Sequence, residues 1–162
     1  MTSVLGVDCS TSTGWCFFQS AGASPKFGTN KLPKSWSHED YSPRFKAHHD
    51  WLADAITMFQ PDIIAMEGPY IPRGSSSQFS TEHTLRLLIG LATITELVAK
   101  LREVKCYEIN VSSAKAFFTG NGRAEKRDMV AEAWRRGWEV GDDHQADAIA
   151  VACVVFDMLE GD

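Results

Sequence analysis

The sequence predicts an α/β protein with a mixed sheet, in which antiparallel hairpin strands adjoin parallel strands and helices flank the sheet. Two short apolar runs, 4–9 and 14–18, are separated by only four polar residues, which is typical of a hairpin. After them, apolar runs of strand length alternate with segments of helical periodicity, as in chains whose later strands are parallel. Because 162 residues suit one domain with a real core, we expect residues 1–162 to form a single unit.

The first half of the chain predicts four strands and one helix. Pro43 and Pro61 bracket the regular part of the helix, because proline is tolerated in the first turn and disfavours helix in the residue before it. The strand that follows is almost wholly apolar, as a strand buried on both faces is, and Gly68 and Pro69 end it. In chain order the strands cover 4–9, 14–18, 25–32 and 62–67, and the helix lies within 38–60.

The second half of the chain predicts a long helix, one more strand and three further helices. We expect the apolar stripe of the long helix to face the sheet, a partner subunit, or both. This stripe consists of Leu85, Leu88, Ile89, Ala92, Leu97 and Leu101. In chain order, a polar loop covers 70–77, the long helix 81–102, the strand 105–109, and the other helices 112–118, 124–136 and 144–159.

Composition favours a globular, cytoplasmic protein. Hydrophobic residues make up 44% of the chain and charged residues 23%, without a long biased stretch, which excludes a disordered chain. The sequence has neither about 18 consecutive apolar residues nor the pattern of a secretory leader, so we expect no membrane association. The four cysteines lack a zinc-type spacing, and we expect buried reduced thiols at Cys9, Cys16, Cys106 and Cys153.

Charge is unevenly distributed along the chain, although the net charge is −5. Nine of the 16 Lys and Arg residues, but only five of the 21 Asp and Glu residues, fall between Lys100 and Arg136. From Glu139 onward there are seven acids and no Lys or Arg. A protein that binds both phosphates and cations would have this polarity, while ordinary surface charge that happens to cluster is the alternative.

Two acidic residues stand at the ends of predicted strands. Asp8 ends the first strand and Glu67 the fourth, and open α/β sheets bind ligands beyond the carboxyl ends of strands. Asp147 lies in the last helix, where Asp143 and His144 share its face because they precede it by four and three residues. Converging carboxylates repel one another unless cations neutralise them, which favours a site for two Mg²⁺ or Mn²⁺ ions. Taken singly, each acid could instead be a cap or a surface group, and His144 a helix-start residue.

Three acidic segments carry a resemblance to a known family. Residues 5–15 (LGVDCSTSTGW), 64–67 (IAME) and 145–150 (QADAIA) resemble the three acidic motifs of RuvC-type Holliday junction resolvases, which have the RNase H-like fold. The order and separations are those of the family, and the resemblance covers nearly the whole chain. Residues 120–126 (GNGRAEK) are similar to the family's Gly-x-Gly-x-Ala-x-Lys segment. The usual Asp-x-Gly is Asp8-Cys9-Ser10 here, a departure that a diverged phage-type member would also show.

The resemblance implies a set of site residues. The metal ligands would be Asp8, Glu67, His144 and Asp147, because the family has Asp or His three residues before the last Asp, with Asp143 as the alternative neighbour. Lys126 would be catalytic and close to the scissile phosphate. Tyr70 would stack on a base at the opened junction, or else simply pack the base of its loop. The implied substrate-binding residues are Tyr70, Arg73, Lys115, Arg123, Lys126 and Arg127.

The resemblance also implies a function and a partner. We expect a structure-selective endonuclease that resolves four-way junctions in branched DNA as a homodimer, with the helix 81–102 as the candidate interface. Three alternatives remain at this level. The substrate could be RNA or a replication intermediate, the fold could serve a non-nucleolytic ATP-binding protein of the actin and sugar-kinase type, or the chain could be a bare nucleic-acid-binding module.

Overall fold

The computed structural model describes residues 1–34, 40–71 and 82–161 and contains one five-stranded sheet across those residues. The strands are β1 (Val4–Asp8), β2 (Ser12–Phe18), β3 (Lys26–Lys31), β4 (Ile63–Glu67) and β5 (Lys105–Ile109). They lie in the order β3-β2-β1-β4-β5. β1 pairs antiparallel with β2, and β2 antiparallel with β3, whereas β4 runs parallel to both β1 and β5. The predicted mixed sheet is confirmed.

In the described part of the chain, five helices cover the two faces of the sheet. They are α1 (Ser42–Phe59), α2 (Glu82–Leu101), α3 (Val111–Thr119), α4 (Lys126–Arg135) and α5 (Asp143–Glu160). α1 and α2 pack on one face, over residues such as Leu5 and Ile64, while α3, α4 and α5 pack on the other, over residues such as Val4 and Ala65. Neighbouring strand residues therefore point into different cores, as the period of two in a strand requires.

Local signals account for the helix ends. Pro43 lies in the first turn of α1, as predicted, and Gln60 ends that helix in the left-handed conformation. Asn110 caps α3 by accepting hydrogen bonds from two backbone amides, and Gly120 ends it with φ +83°. Asp142 caps α5 through the amide of Gln145. All predicted elements are present, with ends that lie within four residues of the predicted ones.

α5 approaches the sheet closely because glycine and alanine line the contact. A Cβ atom on Gly6 would lie 2.2 Å from the carbonyl oxygen of Ala148, and one on Gly14 would lie 2.0 Å from that of His144. The alanines of α5 at 146, 148, 150 and 152 are all buried, as the sequence predicted. The two glycines complete this contact from the sheet side and hold the first turns of α5 against β1 and β2.

The predicted apolar stripe of α2 faces away from the sheet in most positions, which leaves the partner subunit as the open alternative. Of its six residues only Ala92 is buried, while Ile89, Leu97 and Leu101 are exposed. The buried face is made of Leu87, Leu91, Ala92, Thr95, Val98 and Ala99. The helix is apolar on two sides, and the smaller residues face the protein because α1 packs close to it, with the ring of Phe45 directly over Gly90.

The four cysteines are reduced, but they differ in how deeply they are buried. All four cysteines are free; Cys9 and Cys16 are buried, whereas Cys106 and Cys153 are only partly so. Within the described ranges, every helix is too short or too polar to cross a membrane.

Candidate metal centre

Three carboxylates meet at one edge of the sheet. Asp8 is the last residue of β1, and Glu67 is the last residue of the neighbouring parallel strand β4, so the two side chains leave the sheet side by side. Asp147 reaches them from the second turn of α5. One oxygen from each of the three carboxylates lies within 4.8 Å of the others. The sequence prediction that these acids converge is confirmed.

The environment of the three acids raises the pKa of two of them. Burial, followed by the charge of Asp8, raises the pKa of Glu67 to about 9. The same two causes raise the pKa of Asp147 to about 7, with Asp143 contributing further. Lys115 opposes both shifts from α3. Burial and the nearby charge of Asp8 thus disfavour ionisation of both acids, a penalty that a divalent cation relieves, and hard carboxylate oxygens suit Mg²⁺ or Mn²⁺.

His144 contacts Asp8 rather than completing the carboxylate group. Its Nδ1 lies 2.7 Å from Asp8 Oδ2, and this hydrogen bond raises the pKa of the imidazole above its ordinary value. Ser10 lies beside both, with its hydroxyl 3.4 Å from His144 Nδ1 while it donates to the carbonyl oxygen of Ser12. Because Nδ1 is the nitrogen that faces the carboxylates, a cation bound by His144 at this site would take the place of this hydrogen bond.

Asp143 and Lys126 lie together at the rim of the site. Lys126 Nζ is 3.7 Å from Asp143 Oδ2, and its side chain is largely exposed at the start of α4. Asp143 lies outside the group of three converging carboxylates. The first residue of α4 therefore brings a positive charge to the beginning of α5, where the predicted ligands are.

The basic segment of the sequence divides in space. Lys115, Arg123, Lys126 and Arg127 lie on α3, α4 and the connection between them, beside α5. Arg135 and Arg136 are instead paired with Glu132. Arg102 bonds Thr57 near the end of α1, and Lys105 pairs with Ile63 at the far end of β4 from Glu67. Only the central part of the predicted basic segment is therefore near the carboxylates.

Tyr70 is exposed to 66% in the segment after β4. It borders a groove of about 700 Å³ that is also lined by Gly68, Glu108, Asn110 and Ser112. Arg73, predicted to bind substrate, lies outside the described residues.

The fold and the carboxylate edge together define a class of protein. A mixed sheet in this order, with helices on both faces and acids at the ends of its central strands, is the RNase H-like fold of divalent-metal-dependent nucleases. The family model described as crossover junction endodeoxyribonuclease RuvC matches residues 4–155. The chain belongs to the RuvC family.

Individual relatives agree with this family. Crossover junction endodeoxyribonuclease RuvC of Actinobacillus succinogenes is 29% identical over 91% of this chain and 74% of its own length. The RuvC protein of Sinorhizobium medicae is 26% identical over 94% of this chain and 89% of its own length. Among solved structures, Thermus thermophilus RuvC in complex with Holliday junction substrate superposes with a TM-score of 0.76 at 18% identity, covering 99% of this chain and 97% of that one. The yeast mitochondrial Holliday junction resolvase Ydc2 superposes with a TM-score of 0.62 at 19% identity, covering 93% of this chain and 76% of that one. Both structural similarities show the fold.

Proposed function

We propose that this chain is a metal-dependent endonuclease that cuts branched DNA at four-way junctions. The observation that carries the proposal is the convergence of Asp8, Glu67 and Asp147 within 4.8 Å at the sheet edge. Membership of the RuvC family supports the reaction, and the junction complex of the Thermus thermophilus protein supports the substrate class. The family match over 4–155 also supports one nuclease domain spanning residues 1–162.

Asp8, Glu67 and Asp147 are the proposed ligands of two Mg²⁺ or Mn²⁺ ions, with His144 as a further ligand through Nδ1, which bonds Asp8 in the metal-free protein. When bound, such ions lower the pKa of water and stabilise the charge of the leaving oxygen. Glu67 and Asp147 give up their protons on loading, because their raised pKa values reflect burial and mutual repulsion. Before the metal binds, His144 holds the carboxylate of Asp8 in place through its 2.7 Å contact.

Cations of α3 and α4 hold the substrate in this proposal. Lys115 affects the pKa of both Glu67 and Asp147, so it is close enough to the site to contact a phosphate there. Lys126 exchanges its partner Asp143 for the scissile phosphate, since Lys126 itself is largely exposed and an ion pair of this kind at 3.7 Å is weak. Arg123 and Arg127 extend the positive surface along the DNA backbone.

A cleavage assay with three labelled substrates distinguishes the substrate classes: a four-way junction, a linear duplex and an RNA–DNA hybrid. The purified protein is incubated with each, in EDTA and in Mn²⁺. We expect cleavage of the junction only with Mn²⁺, and much slower or no cleavage of the other two. Preferred cleavage of the hybrid would assign the site to RNA, and absence of cleavage with every substrate would overturn the nuclease proposal.

Removal of a phosphate contact should weaken the salt dependence of binding. Arg123→Ala should lower the slope of log affinity against log salt by about 0.9, because one counterion fewer is released per lost contact with duplex DNA. The slope is measured by fluorescence anisotropy with a labelled junction in EDTA. Arg102→Ala is the matched control, since Arg102 bonds Thr57 on the other side of the protein. Equal slopes for both variants and the wild type would contradict a role for Arg123.

The exposed ring of Tyr70 should matter for branched substrates. Tyr70→Ala should slow junction cleavage by about tenfold or more, because stacking on a base contributes roughly 1–3 kcal/mol. Tyr70→Phe keeps the ring and should retain cleavage. Thermal stability and Mn²⁺ affinity should be unchanged in both variants. A loss of stability that parallels the loss of activity would instead indicate a packing role.

Dimerisation through α2 is also proposed. The solvent-facing side of this helix carries three exposed apolar side chains among polar ones, namely Ile89, Leu97 and Leu101, and Leu97 and Leu101 are 54% and 67% exposed. A second copy of the chain would cover this face, as expected for an enzyme that cuts two symmetric strands. Leu97→Glu should therefore shift the protein from dimer to monomer in light scattering at micromolar concentration. Met58→Glu, at an equally exposed residue of α1, should leave the dimer intact, and a monomeric wild type would contradict the proposal.

A further inference from the structure

A row of paired residues crosses three strands at the carboxylate edge. Asp8 of β1 pairs with Gly14 of β2, and Gly14 pairs with Thr29 of β3. Paired residues in a sheet point to the same face, so Asp8 and Thr29 flank Gly14 on the side that carries α5. The first turn of α5 lies directly over Gly14, where a Cβ atom would be 2.0 Å from His144 O and 2.8 Å from Gln145 N.

Two consecutive residues of α5 bind opposite ends of this row. His144 reaches Asp8, with 2.7 Å between Nδ1 and Oδ2. Gln145 reaches Thr29, with its Nε2 donating to Thr29 Oγ1 at 3.0 Å. The first turn of α5 is therefore attached to the sheet on both sides of Gly14.

The attachment on the Thr29 side is a closed set of hydrogen bonds. Thr29 Oγ1 donates to Asp142 Oδ2 at 2.6 Å, while Asp142 Oδ1 accepts from the amide of Gln145 at 2.9 Å. Gln145 Oε1 accepts from the amide of Gly141 at 2.8 Å. Capping of the helix needs only the bond from the Gln145 amide. Asp142 Oδ2 and the side-chain amide of Gln145 are not needed for capping. They join α5 to the edge strand β3 and to Gly141, which precedes the helix.

We propose that Thr29 and Gln145 are positioning residues that fix the rotation and depth of the first turn of α5, and thereby place Asp147 and His144 against Asp8 and Glu67. The inference rests on the proposed metal-dependent function. Neither residue touches the reacting atoms. A rotation of α5 moves Asp147 away from the strand ends, and it moves His144 away from Asp8 at the same time. Partners that orient metal ligands commonly affect affinity for the metal.

Thr29→Val tests the positioning role, since it keeps the shape of the side chain and removes both of its hydrogen bonds. We expect Mn²⁺ to bind about tenfold more weakly than to the wild type in isothermal titration calorimetry. Thr29→Ser should restore the affinity, because it restores the hydroxyl. The matched control is Thr57→Val, which removes an exposed threonine hydroxyl near the end of α1 and should bind Mn²⁺ as the wild type does.

Gln145→Met provides a second variant should Thr29→Val fold poorly. It should weaken Mn²⁺ binding similarly, and the double variant should lose little more than either single variant because both changes break one set of bonds. Junction cleavage at subsaturating Mn²⁺ should fall in kcat with KM for the junction unchanged. The rise in Tm on adding Mn²⁺ should also be smaller, whereas a purely structural role would lower Tm equally with and without the metal.

The outcomes separate this inference from the proposed function. Failure of the wild type to bind Mn²⁺ would overturn the metal site itself, and with it this inference. Wild-type binding together with affinities within about twofold in both Thr29→Val and Gln145→Met would overturn the positioning role alone.

Discussion

Asp8→Asn should abolish junction cleavage while the fold and the binding of the junction in EDTA remain intact. Asn keeps the size of the side chain and an oxygen that can accept from His144, but it removes the charge that a cation requires. Bound ions supply several kcal/mol of transition-state stabilisation, so the rate should fall on the order of a thousandfold or more. The measurement is single-turnover cleavage with saturating protein and Mn²⁺.

Asp157→Asn is the matched control for this variant. Asp157 is exposed and lies ten residues beyond Asp147 on the same helix, so its substitution should leave cleavage unchanged. Circular dichroism and anisotropy with the labelled junction establish folding and binding for both. Cleavage by Asp8→Asn at the wild-type rate would remove Asp8 from the metal site.

Glu67→Gln should abolish cleavage and at the same time stabilise the metal-free protein at high pH. The pKa of Glu67 is raised to about 9 in the fold, mainly by burial, against about 4.3 for a free glutamate. The metal-free folded state therefore holds a proton that the unfolded state has released. Its stability is greatest below about pH 4 and declines as the pH rises toward 9. Because the Gln side chain cannot ionise, the variant does not lose stability in this way as the pH rises.

The comparison is made by thermal unfolding in EDTA. At pH 8, Glu67→Gln should unfold on the order of 5 °C above the wild type, and the difference should disappear near pH 4. Asp147, with its pKa raised to about 7, should make the wild-type Tm fall further between pH 4 and 7. Saturating Mn²⁺ should raise the wild-type Tm at pH 8 and leave that of the variant nearly unchanged. A wild-type Tm in EDTA that is independent of pH would contradict the assignment of these buried acids.

The elements of the fold could be predicted because local patterns determine them. The strand at 105–109 was predicted to the residue, and Pro43 and Pro61 marked helix ends through backbone restrictions that act within a few positions. The buried face of α2 could not be predicted in this way. That helix has apolar residues on two sides, and its contacts with α1, β4 and β5, which are distant in sequence, decide which side faces inward.

The carboxylates of the site could be predicted for a different reason. Asp8 and Glu67 end strands, and parallel strands bring their carboxyl ends to one edge, so topology alone makes them converge. The contacts of Thr29 with α5 span more than 110 positions, and Ser10 is 134 positions from His144. No local pattern encodes such pairs. The same limit applies to the basic segment, whose residues are close in sequence but divide between two sides of the protein.

Manganese anomalous diffraction from crystals of the wild-type protein tests the central claim most directly. The account predicts two anomalous peaks about 3.5–4 Å apart, bonded to carboxylate oxygens of Asp8, Glu67 and Asp147. Crystals of Asp8→Asn grown under the same conditions should lose at least one of the peaks. Saturating Mn²⁺ that binds elsewhere, with no peak at these three carboxylates, would contradict the account.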